Sequence, residues 1–234
     1  MRVVVVAEFY PRAADPVLGV WAHRQALAAR DAGADVRVVV LHRVVAPQSR
    51  ARDLRAWREV AAQPARAELD GLDVRYVRFV SPPRGRHYAR WGAYAAPPLA
   101  LALRRLRRAR PYDLVHAHYA APAADAVLRA RAGAPLVISE HGGDVFHTAK
   151  LPGGEAIVRR AFGAARLVLA NSQGIEQAVR ALGAQIERRS LRRLGRHDLD
   201  DRLGIDPRPV RGEREPDAGA EALGELGELH RRAG

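Results

Sequence analysis

The sequence predicts an α/β fold in which helices cover both faces of an open, mostly parallel sheet. Short β-branched apolar runs alternate with stretches of helical character from Arg2 to about Gly183, and strands separated by helices of this length require parallel pairing and right-handed crossovers. Two of the runs, Tyr112-Asp113-Leu114-Val115-His116-Ala117-His118 and Leu136-Val137-Ile138-Ser139-Glu140-His141-Gly142-Gly143-Asp144, end in polar residues and deliver histidines to one edge. Ligands of open parallel sheets bind outside the carboxyl ends of the strands, so imidazoles and glycines gathered there predict a site rather than a core. After Gly183 the alternation stops.

Arg2–Ala7 reads as a buried strand. Phe9-Tyr10-Pro11-Arg12-Ala13-Ala14-Asp15-Pro16 forms the loop into a helix from about Gly19 to Ala32. Val20, Trp21, Leu27 and Ala28 fall on one helical stripe, expected to face the sheet. Gly33 closes the helix in the left-handed conformation and Val36–Leu41 is the next strand, which completes a βαβ unit. A charged insertion of helical character follows from Arg52 to Ala62, then a strand at Leu72–Phe79. Ser81-Pro82-Pro83-Arg84-Gly85-Arg86 is a loop by its Pro and Gly content. The crossover helix runs from Pro97 to Arg110 with Leu99, Leu103 and Leu106 as its apolar stripe. Strands at 113–117, 135–139 and 166–170 alternate with helices near 122–131, 153–163 and 173–182, the last carrying Ile175, Val179 and Leu182 on one face.

The expected organisation is one domain over residues 1–183 and an irregular tail over 184–234. From Gln185 to Gly234 there is no aromatic residue and only three β-branched apolar ones, Ile186, Ile205 and Val210. Such a segment cannot build a second domain of the same kind, and it is expected to be disordered or loosely helical, with short helices around Ile186–Leu194 and Glu221–Arg232.

With 234 residues, 48% of them hydrophobic, the chain can bury a full core. It has no cysteine, which excludes disulfides, thiolate zinc sites and a cysteine nucleophile and is consistent with a reducing compartment. The apolar run at residues 2–7 is too short for the core of a signal peptide and Glu8 interrupts it. No run approaches the roughly 20 apolar residues of a membrane span. A soluble, cytoplasmic protein is the expectation. The net charge of +13 is uneven: residues 184–234 hold 11 arginines and 11 acidic side chains, so the whole excess lies in residues 1–183. A basic body attracts nucleic acid, anionic lipid or phosphorylated ligands. Nearly all the cations are arginine, Lys150 being the one lysine, a bias that codon usage also explains.

A family resemblance rests on an ordered set of segments. Phe9-Tyr10-Pro11, Gly19-Val20, Ala28-Ala29-Arg30-Asp31-Ala32-Gly33-Ala34-Asp35-Val36, Asp113-Leu114-Val115-His116-Ala117-His118, Glu140-His141-Gly142-Gly143-Asp144 and Ala170-Asn171-Ser172 follow one another as in the N-terminal half of family 4 glycosyltransferases, which residues 1–183 resemble. The resemblance implies a GT-B fold, two Rossmann-like domains facing a cleft, of which this chain supplies the acceptor-side lobe and lacks the donor domain. It implies transfer of a sugar from a nucleotide-sugar to an acceptor, lipid-linked or a glycan, with retention and without a bound metal or any cofactor beyond the nucleotide-sugar.

The resemblance also implies roles for single residues, each beside a plainer reading. Gly19 starts the first helix, where donor phosphates meet backbone amides, or it only permits a turn; Leu18 stands where the family often has another glycine. His141 is the implied catalytic residue, hydrogen-bonded to the donor sugar or its phosphates, with Gly142 and Gly143 leaving room for the donor; the plain reading is a part-buried histidine satisfied by a carbonyl. Asp144 accepts a sugar hydroxyl or caps a turn. His118 lines the acceptor site, and His116 is structural. His116 and His118 share a strand face in metal-ligand geometry, yet no third ligand is evident and no metal is expected. Asn171-Ser172 reads first as a helix cap provided by Ser172.

Arg104, Arg105, Arg107 and Arg108 form either a solvated outer face or a contact with anionic lipid at the inner face of the membrane, which Tyr88 and Trp91 would enter. Glu213 and Glu221 are spaced like the family's donor-gripping glutamates but lack a preceding strand, and are read as coincidence. The change of composition near residue 184 suggests a truncated or frame-shifted product without activity, and a non-catalytic ligand-binding half-domain is the rival reading. A nicotinamide enzyme is disfavoured because Glu8-Phe9-Tyr10-Pro11-Arg12 lacks Gly-x-Gly-x-x-Gly. No nucleic-acid partner is expected, since no recognisable module is present.

Overall fold

A computed structural model describes residues 1–183, and the expectations for the tail, Glu213 and Glu221 included, lie outside the described residues. Seven strands form one sheet: β1 (Arg2–Ala7), β2 (Asp35–Arg43), β3 (Arg66–Leu69), β4 (Leu72–Phe79), β5 (Leu114–His118), β6 (Leu136–Glu140) and β7 (Leu167–Ala170). Their order is β3-β4-β2-β1-β5-β6-β7, and every pair is parallel except β3 with β4. The chain builds outward from β1 through β2 to the β3–β4 hairpin, then crosses over to β5 on the other side of β1. Strand order therefore reverses at β1 and β5, and the crevice at their carboxyl ends is where a ligand site is expected.

The helices are α1 (Val20–Asp31), α2 (Leu54–Ala62), the single turn α3 (Arg84–His87), α4 (Trp91–Ala109), α5 (Asp125–Ala130), the single turn α6 (Gly143–Phe146), α7 (Gly154–Ala164) and α8 (Gln173–Ala181). Val3, Val5 and Ala7 of β1 pack with Ala22 and Ala26 of α1, whereas Val4 and Val6 pack in a second cluster with Leu99, Leu103 and Leu106 of α4. Burial on both faces is why β1 reads as an unbroken run of valines with no alternation.

The apolar stripe assigned to α1 is corrected by nearly half a turn. Ala22, His23 and Ala26 are its buried positions, while Val20, Trp21 and Ala28 are exposed. The small alanines let the helix backbone lie close on the sheet. Buried His23 bonds Tyr10 Oη at 2.7 Å and Asp70 Oδ2 at 2.8 Å, which ties this face to the β1 loop and the β3–β4 turn.

Strand β3 was missed, although Asp70-Gly71 is a two-residue hairpin signal: both residues have positive φ, 49° and 78°, as the tightest hairpin turns require. The crossover helix starts at Trp91, six residues before the expected Pro97, and carries Pro97 and Pro98 inside it. Trp91 supplies the reason, because its buried indole donates to the Pro82 carbonyl at 3.1 Å beneath the Arg43 guanidinium and anchors the first turn. Trp91 and Tyr88 are therefore core residues, and the expectation that they enter a membrane interface is overturned.

Two caps hold as expected. Gly33 closes α1 at φ 88°, and Ser172 accepts from Ile175 N at 3.3 Å at the start of α8. Ser172→Ala is expected to lower stability by about 1 kcal/mol, read as a shift of the urea midpoint.

Candidate functional site

The carboxyl ends of β1, β5 and β6 hold a closed square of aromatic rings. Phe9 follows β1, Trp21 begins α1, Tyr119 follows β5 and His141 follows β6. Centroid separations around the square are 6.3 Å for Phe9–Trp21, 6.0 Å for Trp21–His141, 5.1 Å for His141–Tyr119 and 5.6 Å for Tyr119–Phe9. Against it lies a cavity of about 450 Å³, walled by Phe9, Tyr88, Tyr119 and Leu151, by Arg84 of α3, and by Gly143, Asp144, His147 and Thr148. That size and lining, mostly apolar with a few polar groups, suit a small-molecule site.

Tyr119 has φ 75° and ψ 146°, a conformation that costs a residue with a side chain about 1–3 kcal/mol and persists only where the surroundings impose it. Here Phe9, His141 and Gly143 hold the ring; a Cβ on Gly143 would stand 3.1 Å from it. Across the cavity the Arg84 guanidinium lies 4.1 Å above the Tyr88 ring and 5.1 Å above that of Phe9. Tyr88 donates to buried Glu8 at 2.6 Å. Burial pushes the Glu8 carboxyl above its ordinary range, and the charge of Arg84 opposes that push.

His141 is half-buried and shares its edge with Gly19 through Trp21. Burial lowers its pKa to about 4, so the ring is neutral at pH 7. Behind it stands His118, 1% exposed, whose Nδ1 lies 3.1 Å from His141 Nε2. Next on β5, His116 donates from Nε2 to Ser139 Oγ at 2.8 Å, and Ser139 donates to Gln25 of α1 at 3.0 Å. Burial first, and the neighbouring imidazoles second, hold His116 at about 4 and His118 well below the usual value. His116 is thus bonded within the fold, away from the cavity. Among the described residues no set of three His, Asp or Glu side chains is arranged to hold a metal.

A buried carboxyl pair fastens the two loops that carry these rings. Glu140 Oε1 accepts from Gly142 N at 2.7 Å and from Asp144 N at 3.3 Å. Asp144 accepts from Ala120 N and, at 3.3 Å, from Ala121 N. Burial pushes both carboxyls up, Asp144 the further because the charge of Glu140 and a hydrogen bond to it add to the push, whereas hydrogen bonds from Asp144 and the loop amides oppose it at Glu140. Glu140 Oε2 has no N–H donor among the described residues, and a proton kept on Asp144 supplies one. Burial therefore favours a proton shared by the pair over two carboxylates side by side.

Of the residues singled out from sequence, the structure groups His141, Gly142, Gly143, Asp144, His118 and Gly19 at one edge of the sheet. Their surroundings differ from expectation in three ways. Asp144 adjoins the cavity, but its oxygens are turned to backbone amides and Glu140. His118 is sealed behind His141 and does not line the cavity. The space beside Gly142 and Gly143 is bordered by Phe146, Ile175 and Tyr119. Gly19 has φ 64° and its missing Cβ would fall 2.2 Å from the Phe9 carbonyl, so packing alone demands glycine there. Sequence reasoning missed Glu140, Arg84, Phe9 and Tyr119; Phe9-Tyr10-Pro11 right after β1 was the available signal for one wall.

The cavity offers aromatic faces, the Arg84 guanidinium and the His147 ring, and the carboxyl at its wall, Asp144, is engaged with backbone amides; His141 stands next to it across the Tyr119 ring. The family model described as Glycosyltransferase Family 4 matches residues 18–191. The chain belongs to glycosyltransferase family 4. Among solved structures, this family 4 chain superposes on a sucrose-phosphate synthase from Thermosynechococcus elongatus with a TM-score of 0.56 at 12% identity, over 88% of this chain and 53% of that one. Anabaena HepE in complex with UDP gives 0.46 at 16% identity, over 87% and 50%. The glycosyltransferase chain thus spans about half the length of these structures, and at such identity the first shows the fold: a Rossmann-like lobe of GT-B type. No curated protein matches it.

Proposed function

We propose that residues 1–183 are the acceptor-side lobe of an enzyme that moves a sugar from a nucleotide-sugar to an acceptor hydroxyl, with retention at the anomeric carbon. The observation that carries this reading is the cavity of about 450 Å³ beside the neutral His141, at the point where strand order reverses. The acceptor stacks on Phe9 and Tyr119, and Arg84 meets an anionic group on it. His141 hydrogen-bonds the donor sugar or its phosphates beside Gly142 and Gly143, and the N-terminus of α1 at Gly19 faces the diphosphate. Catalysis then consists of alignment and of stabilising the departing diphosphate, without metal or further cofactor. The grip on the nucleotide belongs to a second lobe, which the described residues do not include.

A membrane-presented acceptor is favoured by one face of α4. Leu101, 51% exposed, shares it with the exposed Arg104, Arg105 and Arg108 at i+3, i+4 and i+7, whereas Arg107 is engaged with the Ala132 and Gly133 carbonyls. Such a face suits anionic lipid headgroups. Among the described residues no helix is long and apolar enough to cross a membrane.

The test is transfer by the full chain from a panel of nucleotide-sugars to glycosides and polyprenyl-phosphate sugars, with product configuration read by NMR. His141→Ala is expected to lower kcat/KM on the order of 100-fold, and Tyr119→Ala to raise the acceptor KM. Binding without turnover would favour a non-catalytic half-domain. Neither binding nor turnover with any of the panel would remove the reading.

A further inference from the structure

We infer that His118 is a positioning residue: by donating its Nδ1–H to His141 Nε2 it fixes His141 in the tautomer that carries the proton on Nδ1 and offers it as a donor at the rim. Its functional meaning rests on the transferase reading above; the tautomer itself does not.

The two rings are 5° from parallel with centroids 5.3 Å apart and facing nitrogens 3.1 Å apart. That centroid separation is close to the nitrogen distance plus the two ring radii, so the imidazoles lie edge to edge in nearly one plane. This is the geometry of an in-line N–H···N bond and not of face-to-face stacking. Burial keeps both rings neutral at pH 7, so each has one proton and one of the two facing nitrogens must donate.

Two arrangements satisfy that condition. If His141 donated, the proton of His118 would sit on its Nε2, which is buried and has no hydrogen-bond partner among the described residues. An orphaned buried N–H is the rarer defect in folded proteins; an acceptor left bare is tolerated more often. If His118 donates from Nδ1, its Nε2 is only a bare lone pair, and the orphaned N–H disappears. His116 does not compete for either nitrogen, because its own Nε2–H is spent on Ser139.

His141 Nε2 is then an acceptor and its Nδ1 is protonated. That Nδ1 has no partner among the described residues and, unlike His118 Nε2, is not sealed from solvent. The atom it meets in a ligand must be an acceptor: a phosphoryl oxygen, or a sugar oxygen approached through its lone pair. Ammonium groups and amide N–H donors are selected against at this position.

The measurement is a long-range proton–nitrogen correlation spectrum of the ¹⁵N-labelled full chain at pH 7 without ligand, with the His141 signals assigned by their loss in His141→Gln. The expected wild-type pattern is a protonated Nδ1 and a bare Nε2 on both His118 and His141. In His118→Phe, which removes the donor and keeps a flat ring, His141 is expected to pass from this single form to a population with the proton on Nε2. A wild-type His141 protonated on Nε2 overturns the inference, and so does a His118→Phe spectrum with the tautomer unchanged. If that variant fails to fold, the wild-type pattern alone decides. Failure of sugar transfer with the Nδ1–H pattern intact would count against the proposed function only.

Discussion

Gly19→Ala is expected to destabilise the lobe by about 2–5 kcal/mol. Two costs combine. A residue with a side chain held in the left-handed region loses roughly 1–2 kcal/mol, and Gly19 sits at φ 64°. The added methyl would also stand 2.2 Å from the carbonyl carbon and oxygen of Phe9 and 2.6 Å from Tyr10 N, all backbone atoms that no rotamer change can clear. Overpacking of this kind costs about 1–3 kcal/mol. Urea unfolding followed by circular dichroism measures the sum; a loss under about 1 kcal/mol would mean that the β1–α1 loop yields freely. Because Phe9 also packs on Trp21 and Tyr119 and lies under Arg84, the same shift is expected to deform the cavity and weaken acceptor binding.

Asp144→Ala is expected to cost about 2–6 kcal/mol, since it strips the acceptor from Ala120 N and Ala121 N and each buried unsatisfied amide costs about 1–3 kcal/mol. Asp144→Asn behaves differently. Its carbonyl oxygen still serves Ala120 N and its amide can donate to Glu140, as the protonated acid does, so at neutral pH it is expected to stay within about 1 kcal/mol of wild type.

The separation between the two appears in the pH dependence. Both carboxyls titrate above their ordinary range in the fold, so the folded lobe keeps a proton that the unfolded chain releases. The stability this contributes is complete below the ordinary carboxylate value near 4 and is lost as pH rises toward the pair's own titration. His116 and His141, lowered to about 4 from 6.5, act in the opposite sense: the unfolded chain takes up protons that the fold refuses, and stability falls as pH drops below 6.5. The histidine contribution is common to wild type and Asp144→Asn and cancels in their difference. Wild type minus variant is therefore expected to decline with rising pH above 4, and a flat difference would show that Glu140 and Asp144 do not share a proton.

The parallel architecture was legible in the sequence because it depends on local properties. The valine run of β1, the leucine stripe of α4 at Leu99, Leu103 and Leu106, and the caps at Gly33 and Ser172 each satisfy a requirement of their own few residues. Three elements were less legible. The face of α1 was chosen by the Tyr10–His23–Asp70 contact, which spans 47 residues from His23 to Asp70. Strand β3 exists because β4 offers it an edge. The start of α4 follows from where Trp91 finds Pro82 and Arg43.

By itself the sequence determined that residues 1–183 make an open, mostly parallel sheet and that histidines and glycines collect at the carboxyl ends of β5 and β6. Only the tertiary structure decided which of those groups face a ligand. His118 and His141 end neighbouring strands, yet one is sealed and the other stands at the rim; Asp144, read from sequence as an acceptor of a sugar hydroxyl or a turn cap, is buried against Glu140. The reason is physical: periodicity specifies a residue's face on its own strand or helix, whereas desolvation, hydrogen-bond partners and protonation depend on atoms brought in from distant parts of the chain.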